Sequence, residues 1–233
     1  MIRFAAIAPH GDVDAAPELR AAMEELGRRF DASGCRTAVV ASPHTVHVEG
    51  HFAVVAAGRV GGHATDRGLA NALVERARAA GLPVVRVSYG GNDPVEAELP
   101  LDWGTEVPLR FVHAERVVVV APARDRPLEE HVELGRVLAA LDEPVALVAS
   151  ADHAHAHDAD GPYGFHESAR AYDERFLELV AQSPLDFRPL AELVDDAKAD
   201  SLWQLLVLQG AVDRLELLAY AAPTYYGMAV AST

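Results

Sequence analysis

Four short apolar runs constrain this 233-residue chain more than any other feature: RFAAIA (3–8), TAVVAS (37–42), ERVVVVA (115–121) and PVALVAS (144–150). They are near-continuous rather than alternating, as expected of strands covered on both faces. Between them lie stretches with helical spacing. In residues 15–30, Leu19, Met23, Leu26 and Phe30 recur on one helical face. Residues 65–80, 128–141 and 165–183 also read as helices, and 202–209 as part of another. Thr65 or Asp66 is placed to cap the first of these three, and Gly81 to stop it. Further strands are expected at 51–57, 83–88 and 227–231. Strands separated by helices predict an α/β architecture with a central, largely parallel or mixed sheet flanked by helices. No linker, repeat or low-complexity segment interrupts it, so residues 1–233 read as one domain.

Composition narrows the function. Half of the residues are apolar (50%), which excludes a disordered chain. There are 20 Lys+Arg against 35 Asp+Glu, a formal net charge of -15. That balance argues against non-specific binding to nucleic acid and against docking on anionic lipid. No membrane span is expected, because no apolar run approaches about 18 residues. The N-terminus MIRFAAIAPHGD lacks the long apolar stretch of a secretory signal. Cys35 is the sole cysteine, so neither an intrachain disulfide nor a Cys-based zinc site is possible. One thiol fits a reducing cytoplasm, the expected location.

The 11 histidines are the chemical signal. Ligands in open α/β sheets collect beyond the carboxyl ends of the strands. Three expected strands end in histidine there: Pro9-His10-Gly11-Asp12, Ser42-Pro43-His44, and Asp152-His153-Ala154-His155. If these strands are parallel, their loops share one edge and the imidazoles can converge. Two neutral imidazoles plus a carboxylate form the facial site of non-haem Fe(II) oxygen chemistry. The same set could hold Zn(II) and activate a water.

Each histidine also has a plainer reading, a loop side chain bonded to a turn. His153, His155 and His157 alternate, so an extended segment would put them on one face. His47 and His51 are four apart, but their surroundings look extended rather than helical. His63 reads as a residue near the glycine turn before a helix. His113, His131 and His166 read as surface or capping residues. Gly61-Gly62 is a weak phosphate-loop signal, and Gly90-Gly91-Asn92-Asp93-Pro94 reads as a turn. Glu192, Asp195 and Asp196 read as a solvated face. Asp200 directly precedes an apolar run, where an N-cap and a functional carboxylate are both open readings.

In order along the chain come PH, SPH, LDWGTEVPL (101–109), ASADHAH (149–155), LQGAV (208–212) and AYAAPTYYGMAVA (219–231). Together they resemble the class III extradiol ring-cleavage dioxygenases, the LigB-like superfamily, which also includes Memo-like proteins. The resemblance implies a LigB-like fold and Fe(II), with Zn(II) or Mn(II) as alternatives. It implies a small aromatic diol or aminophenol substrate and O2. His10 and His44 fall on the family's two histidine ligands. The third ligand is usually a glutamate before an R-G-A-L-like segment. Here that segment is Gln209-Gly210-Ala211-Val212, and the nearest upstream carboxylate is Asp200. His155 falls on the acid/base histidine, with Asp152 as its orienting carboxylate. The family's D-H-G-x-x-x-P-L is here Asp102-Trp103-Gly104-Thr105-Glu106-Val107-Pro108-Leu109. Trp103 cannot transfer a proton as imidazole does, so it is assigned with His153 to substrate contact, walling the pocket or stacking on the ring. A homodimer or a partner subunit of a larger oxygenase is compatible with the resemblance. Its alternatives are a Memo-like metal-binding or redox protein, whose usual C-terminal cysteine has no counterpart here, and a Zn(II) hydrolase.

Overall fold

The computed structural model describes residues 1–89 and 93–233, so the Gly90-Gly91-Asn92 part of the expected turn lies outside the described residues. Four parallel strands form the centre: β1 (Ile2–Ala8), β2 (Thr37–Ala41), β8 (Arg116–Ala121) and β9 (Val145–Ser150). Their order is β1-β9-β2-β8. Beyond β1, the strands β11 (Met228–Ser232) and β10 (Glu216–Ala221) add antiparallel. Beyond β8 the sheet splits. β5 (His63–Thr65) pairs parallel with its first residues, and β3 (Phe52–Val55) pairs antiparallel with its last. β6 (Val84–Val87) follows β3, while β4 (Arg59–Val60) and β7 (Glu98–Leu99) extend the β5 side. The sheet is therefore mixed, as expected. The β4–β5 turn is Gly61-Gly62, with φ of 50° and 84°. Two successive positive φ values match the twist of a tight hairpin, so this pair is turn chemistry rather than a phosphate loop.

Side chains alternate between two apolar layers. Phe4, Ala6, Ala38, Val40, Val117, Val119, Ala146 and Val148 face α1 (Pro17–Ser33), whose Leu19, Met23, Leu26 and Phe30 are buried against them, and α3 (Trp103–Leu109). Ala5, Ile7, Val39, Val118, Val120, Leu147 and Ala149 face the other layer. That layer contains α2 (Arg67–Ala79), α4 (Leu128–Ala139), α5 (Glu167–Val180), the short α6 (Val194–Ala197) and α7 (Leu202–Ala211). Asp66 caps α2 through its side chain, which accepts from the Leu69 amide, and Thr65 belongs to β5. His166 caps α5 by accepting from the Ser168 amide.

One histidine departs from the sequence reading. His131 is not at the surface. It is fully buried, with its ring 4.8 Å edge-on from Phe52 and Nδ1 donating to the Pro127 carbonyl at 3.1 Å. Burial pushes its pKa down to about 4, so it stays neutral in the core. His63 directly follows the Gly61-Gly62 turn, as the first residue of β5 and ahead of α2, as read from the sequence.

α7 follows Asp200 and rests on α4 at a glycine crossing. A Cβ on Gly210 would lie 1.9 Å from the Val132 carbonyl oxygen, and one on Gly135 would lie 2.0 Å from that of Val207. Both obstacles are backbone, so neither can swing aside. Gly210→Ala is expected to destabilise the fold by about 1–3 kcal/mol, as overpacked sites do. Urea unfolding against wild type measures this, and an unchanged midpoint would refute the crossing.

Candidate metal centre and its cavity

β1, β9 and β2 are adjacent and parallel, so the loops after Ala8, Ser150 and Ala41 emerge together. The first carries His10 and the last His44. Their Nε2 atoms stand 3.0 Å apart. Asp200 arrives from the other layer, between α6 and α7, and its Oδ2 lies 3.3 Å from His10 Nε2 and 3.4 Å from His44 Nε2. These three residues form a group able to hold a metal ion. Asp200 does not cap α7; the residue in the cap position is Ser201, and it makes no side-chain cap bond.

The donors fit a divalent ion. Asp200 Oδ1 is buried without a hydrogen-bond partner, a costly arrangement that a bound cation would relieve. Two imidazole nitrogens facing each other at 3.0 Å need a proton or a cation between them. With bonds of about 2.1 Å, ligand atoms are about 3.0 Å apart on an octahedron and about 3.4 Å apart on a tetrahedron. The observed spacings, 3.0 to 3.4 Å, admit either geometry, hence Fe(II) or Zn(II).

Supporting contacts fix the tautomer of His10. The Ser150 hydroxyl donates to the Gly104 carbonyl, so its lone pair accepts from His10 Nδ1, 3.0 Å away. Nε2 is thereby left as the coordinating nitrogen. His44 is held through its backbone. Its amide donates to Ser42 Oγ, which donates to Asp102 Oδ1 at 2.6 Å. Asp102 also caps α3, accepting from the amide and hydroxyl of Thr105. Trp103 follows it and lies over the His44 ring, with centroids 4.3 Å apart.

Electrostatics couple the buried groups. Burial alone would lower the pKa of His10, but the neighbouring Asp152 and Asp200 outweigh it and raise it to about 9. Burial opposes ionisation of Asp200 too, yet hydrogen bonds from His10 and His44 hold it well below the usual carboxylate range. Asp152 is pushed up by burial.

The expected partner of His155 is different. Asp152 accepts from the His10 backbone amide at 3.0 Å, and so braces the metal-side loop. His155 Nδ1 instead donates to the His153 carbonyl at 2.9 Å, which leaves Nε2 as its basic nitrogen. The His155 amide donates to the Ala197 carbonyl, tying this loop to the segment that leads into Asp200. Its ring stacks on Tyr226, with centroids 5.5 Å apart. The three alternating histidines do not share a face, because the segment is no regular strand. His157 bonds Asp173 at 2.7 Å. His153 is fully buried, 3.9 Å from the Phe176 ring and 3.2 Å from the Ser201 hydroxyl, and burial lowers its pKa to about 4.

A cavity of about 440 Å³ opens beside the three donors. His44, Asp200 and His155 reach its wall together with Tyr163, Trp203, Arg124, Asp195 and Lys198. Neither Trp103 nor His153 is part of that wall: Trp103 lies over the His44 ring and is exposed, and His153 lies inside the core. Sequence reasoning missed Arg124, Lys198, Tyr163 and Trp203. Arg124 had a usable signal, since it follows β8 on the same edge as His10 and His44.

Residues 21–231 match the family described as the catalytic LigB subunit of aromatic ring-opening dioxygenase. The chain belongs to this family. The matched span includes His44, His155 and Asp200, and His10 precedes it. No curated protein matches the chain. Among solved structures, the crystal structure of an uncharacterized protein from Escherichia coli K12 is similar over 99% of both chains, with a TM-score of 0.69 and 20% identity. At that identity the likeness is one of fold.

Loss of the Ser150 hydroxyl frees the His10 ring. Ser150→Ala is expected to keep the fold but weaken metal affinity roughly 10- to 100-fold, as loss of a ligand's hydrogen-bond partner does. Competition against a chelator measures this; unchanged affinity would remove Ser150 from the support of His10.

Proposed function

We propose that this protein is a non-haem Fe(II)-dependent extradiol dioxygenase that opens a catechol-type or aminophenol-type ring with O2. The observation that carries the reading is the convergence of His10, His44 and Asp200 beside a cavity whose wall also presents His155. Family membership supports the reaction class.

His10, His44 and Asp200 would hold the ion beside the cavity. When bound, the ion supplies the redox link between the diol and O2 and acidifies a substrate hydroxyl. His155 takes that hydroxyl proton at Nε2 and returns one as the ring opens, because its other nitrogen is committed to the His153 carbonyl. Tyr163 and Trp203 give the ring aromatic walls. Asp152 and Ser150 hold His10 still through the cycle, from its backbone and from Nδ1. Trp103 limits the freedom of His44 by lying over its ring.

The test is anaerobic reconstitution with Fe(II), followed by a catechol and aminophenol panel under air. O2 uptake equal to the ring-opened product is expected. His10→Ala and His44→Ala should lose stoichiometric iron. His155→Gln should keep iron while turnover falls roughly 100- to 10,000-fold, the range for a lost general base. Unchanged turnover in that variant would contradict its role. Because the donor spacing also admits Zn(II), the zinc-loaded protein belongs in the same assay. Turnover with zinc but without O2 uptake would replace the oxygenase reading with a hydrolase.

A further inference from the structure

Asp173 is a buried acid that the proposed chemistry does not use. It lies on the core-facing side of α5 and is 2% exposed. Burying a carboxylate is costly unless donors satisfy it, and three do. Oδ1 accepts from the Ala154 amide at 3.0 Å. Oδ2 accepts from the Tyr220 hydroxyl at 2.6 Å and from His157 Nε2 at 2.7 Å. Burial and the charge of Asp173 push the Tyr220 pKa well above its ordinary value, so its hydroxyl stays a donor.

Two of these donors flank His155: Ala154 directly precedes it, and His157 follows two residues later. The third, Tyr220, lies in β10, which leads into the segment carrying Tyr226. Tyr226 is the ring on which the His155 imidazole stacks. Gly227 comes next, and a Cβ there would overlap Asp173 Oδ2, so only glycine lets this segment close against the carboxylate. The two segments are also joined to each other. The Gly227 amide donates to the Ala154 carbonyl at 2.9 Å, and the His153 amide to the Gly227 carbonyl at 2.8 Å. One carboxylate therefore references both the backbone of His155 and the ring beside it. Asp152, the nearest acid in sequence, is committed to the His10 amide.

We infer that Asp173 is the positioning residue of His155, holding the acid/base loop and the Tyr226 ring in one fixed arrangement from outside the cavity wall. This rests on the acid/base reading of His155 above. A buried acid does not by itself stabilise a fold more than an apolar side chain of its size would; what its hydrogen bonds supply is direction. Direction matters for proton transfer, where a misplacement of about 1 Å costs on the order of 100-fold.

The test substitutes Asp173→Asn, which keeps the side-chain shape and turns one acceptor into a donor. In the zinc-loaded protein, which is diamagnetic, the His155 ring protons are the NMR signals lost in His155→Gln, and their displacement by the Tyr226 ring current reports where the imidazole sits. In Asp173→Asn these signals are expected to move toward the free-imidazole position while unfolding stays cooperative. In the iron-loaded enzyme the same substitution should lower kcat roughly 10- to 100-fold and leave KM within about twofold. In the His155→Gln background it should change kcat by less than about twofold, because its effect passes through His155. Unmoved ring signals, or an equal loss of kcat in both backgrounds, would overturn the role. If Asp173→Asn does not fold, Tyr220→Phe removes one donor and should move the same signals in the same direction; signals unmoved there would overturn the role as well. Failure of the diol reading looks different: wild type would take up no O2 with the catechol panel, while the displaced His155 signals would still support the positioning role.

Discussion

Because β9 lies between β1 and β2 and runs parallel to both, three loops leave the sheet at one edge within reach of one another. Everything at the site depends on that pairing. If β2 ran antiparallel, His44 would be carried to the opposite edge and no donor set could form. Burial of these strands on both faces enforces the arrangement, since the apolar runs that make them leave no solvated side to turn. Register adds to it: Ala8 pairs with Ser150, so the hydroxyl that holds His10 lies beside the end of its own strand.

The sheet brings the imidazoles, but the carboxylate comes from the helical layer. Asp200 is carried by the α6–α7 corner. α7 is seated on α4 through Gly135 and Gly210, where only backbone can approach backbone. Ser201, the next residue, bonds Tyr172 and His153 in the core. Two apolar layers thus meet at a point where buried acids and imidazoles face one another. Such a group is unfavourable by itself, and the unpartnered Oδ1 of Asp200 shows that protein contacts alone leave it unsatisfied. A divalent cation would resolve that imbalance, and the raised pKa of His10 reflects the same local excess of negative charge.

Legibility of the sequence followed burial. β1, β2, β8 and β9 could be read because their apolar runs are unbroken, and α1 because Leu19, Met23, Leu26 and Phe30 mark one face. β10 could not, since its residues are half-exposed and carry no clear period. β4, β5 and β7 are two or three residues long, and α3 is seven with Pro108 inside it, all too short for periodicity to emerge. At the site, His10 and His44 were legible as histidines at strand ends. Asp200 needed the family resemblance, because its position depends on a corner rather than on a strand. The partner of His155 was misread because a backbone carbonyl leaves no trace in residue identity. Lys198 was hidden for the same reason, its placement coming from a left-handed turn that a lysine does not announce.

The central claim is that His10, His44 and Asp200 enclose one divalent ion. Anomalous diffraction at the iron edge, from crystals of anaerobically loaded protein, tests it most directly. A single peak within bonding distance of both Nε2 atoms and an Asp200 oxygen is the expected result. A fully occupied ion elsewhere, or one that leaves His10 outside its coordination sphere, would contradict the account.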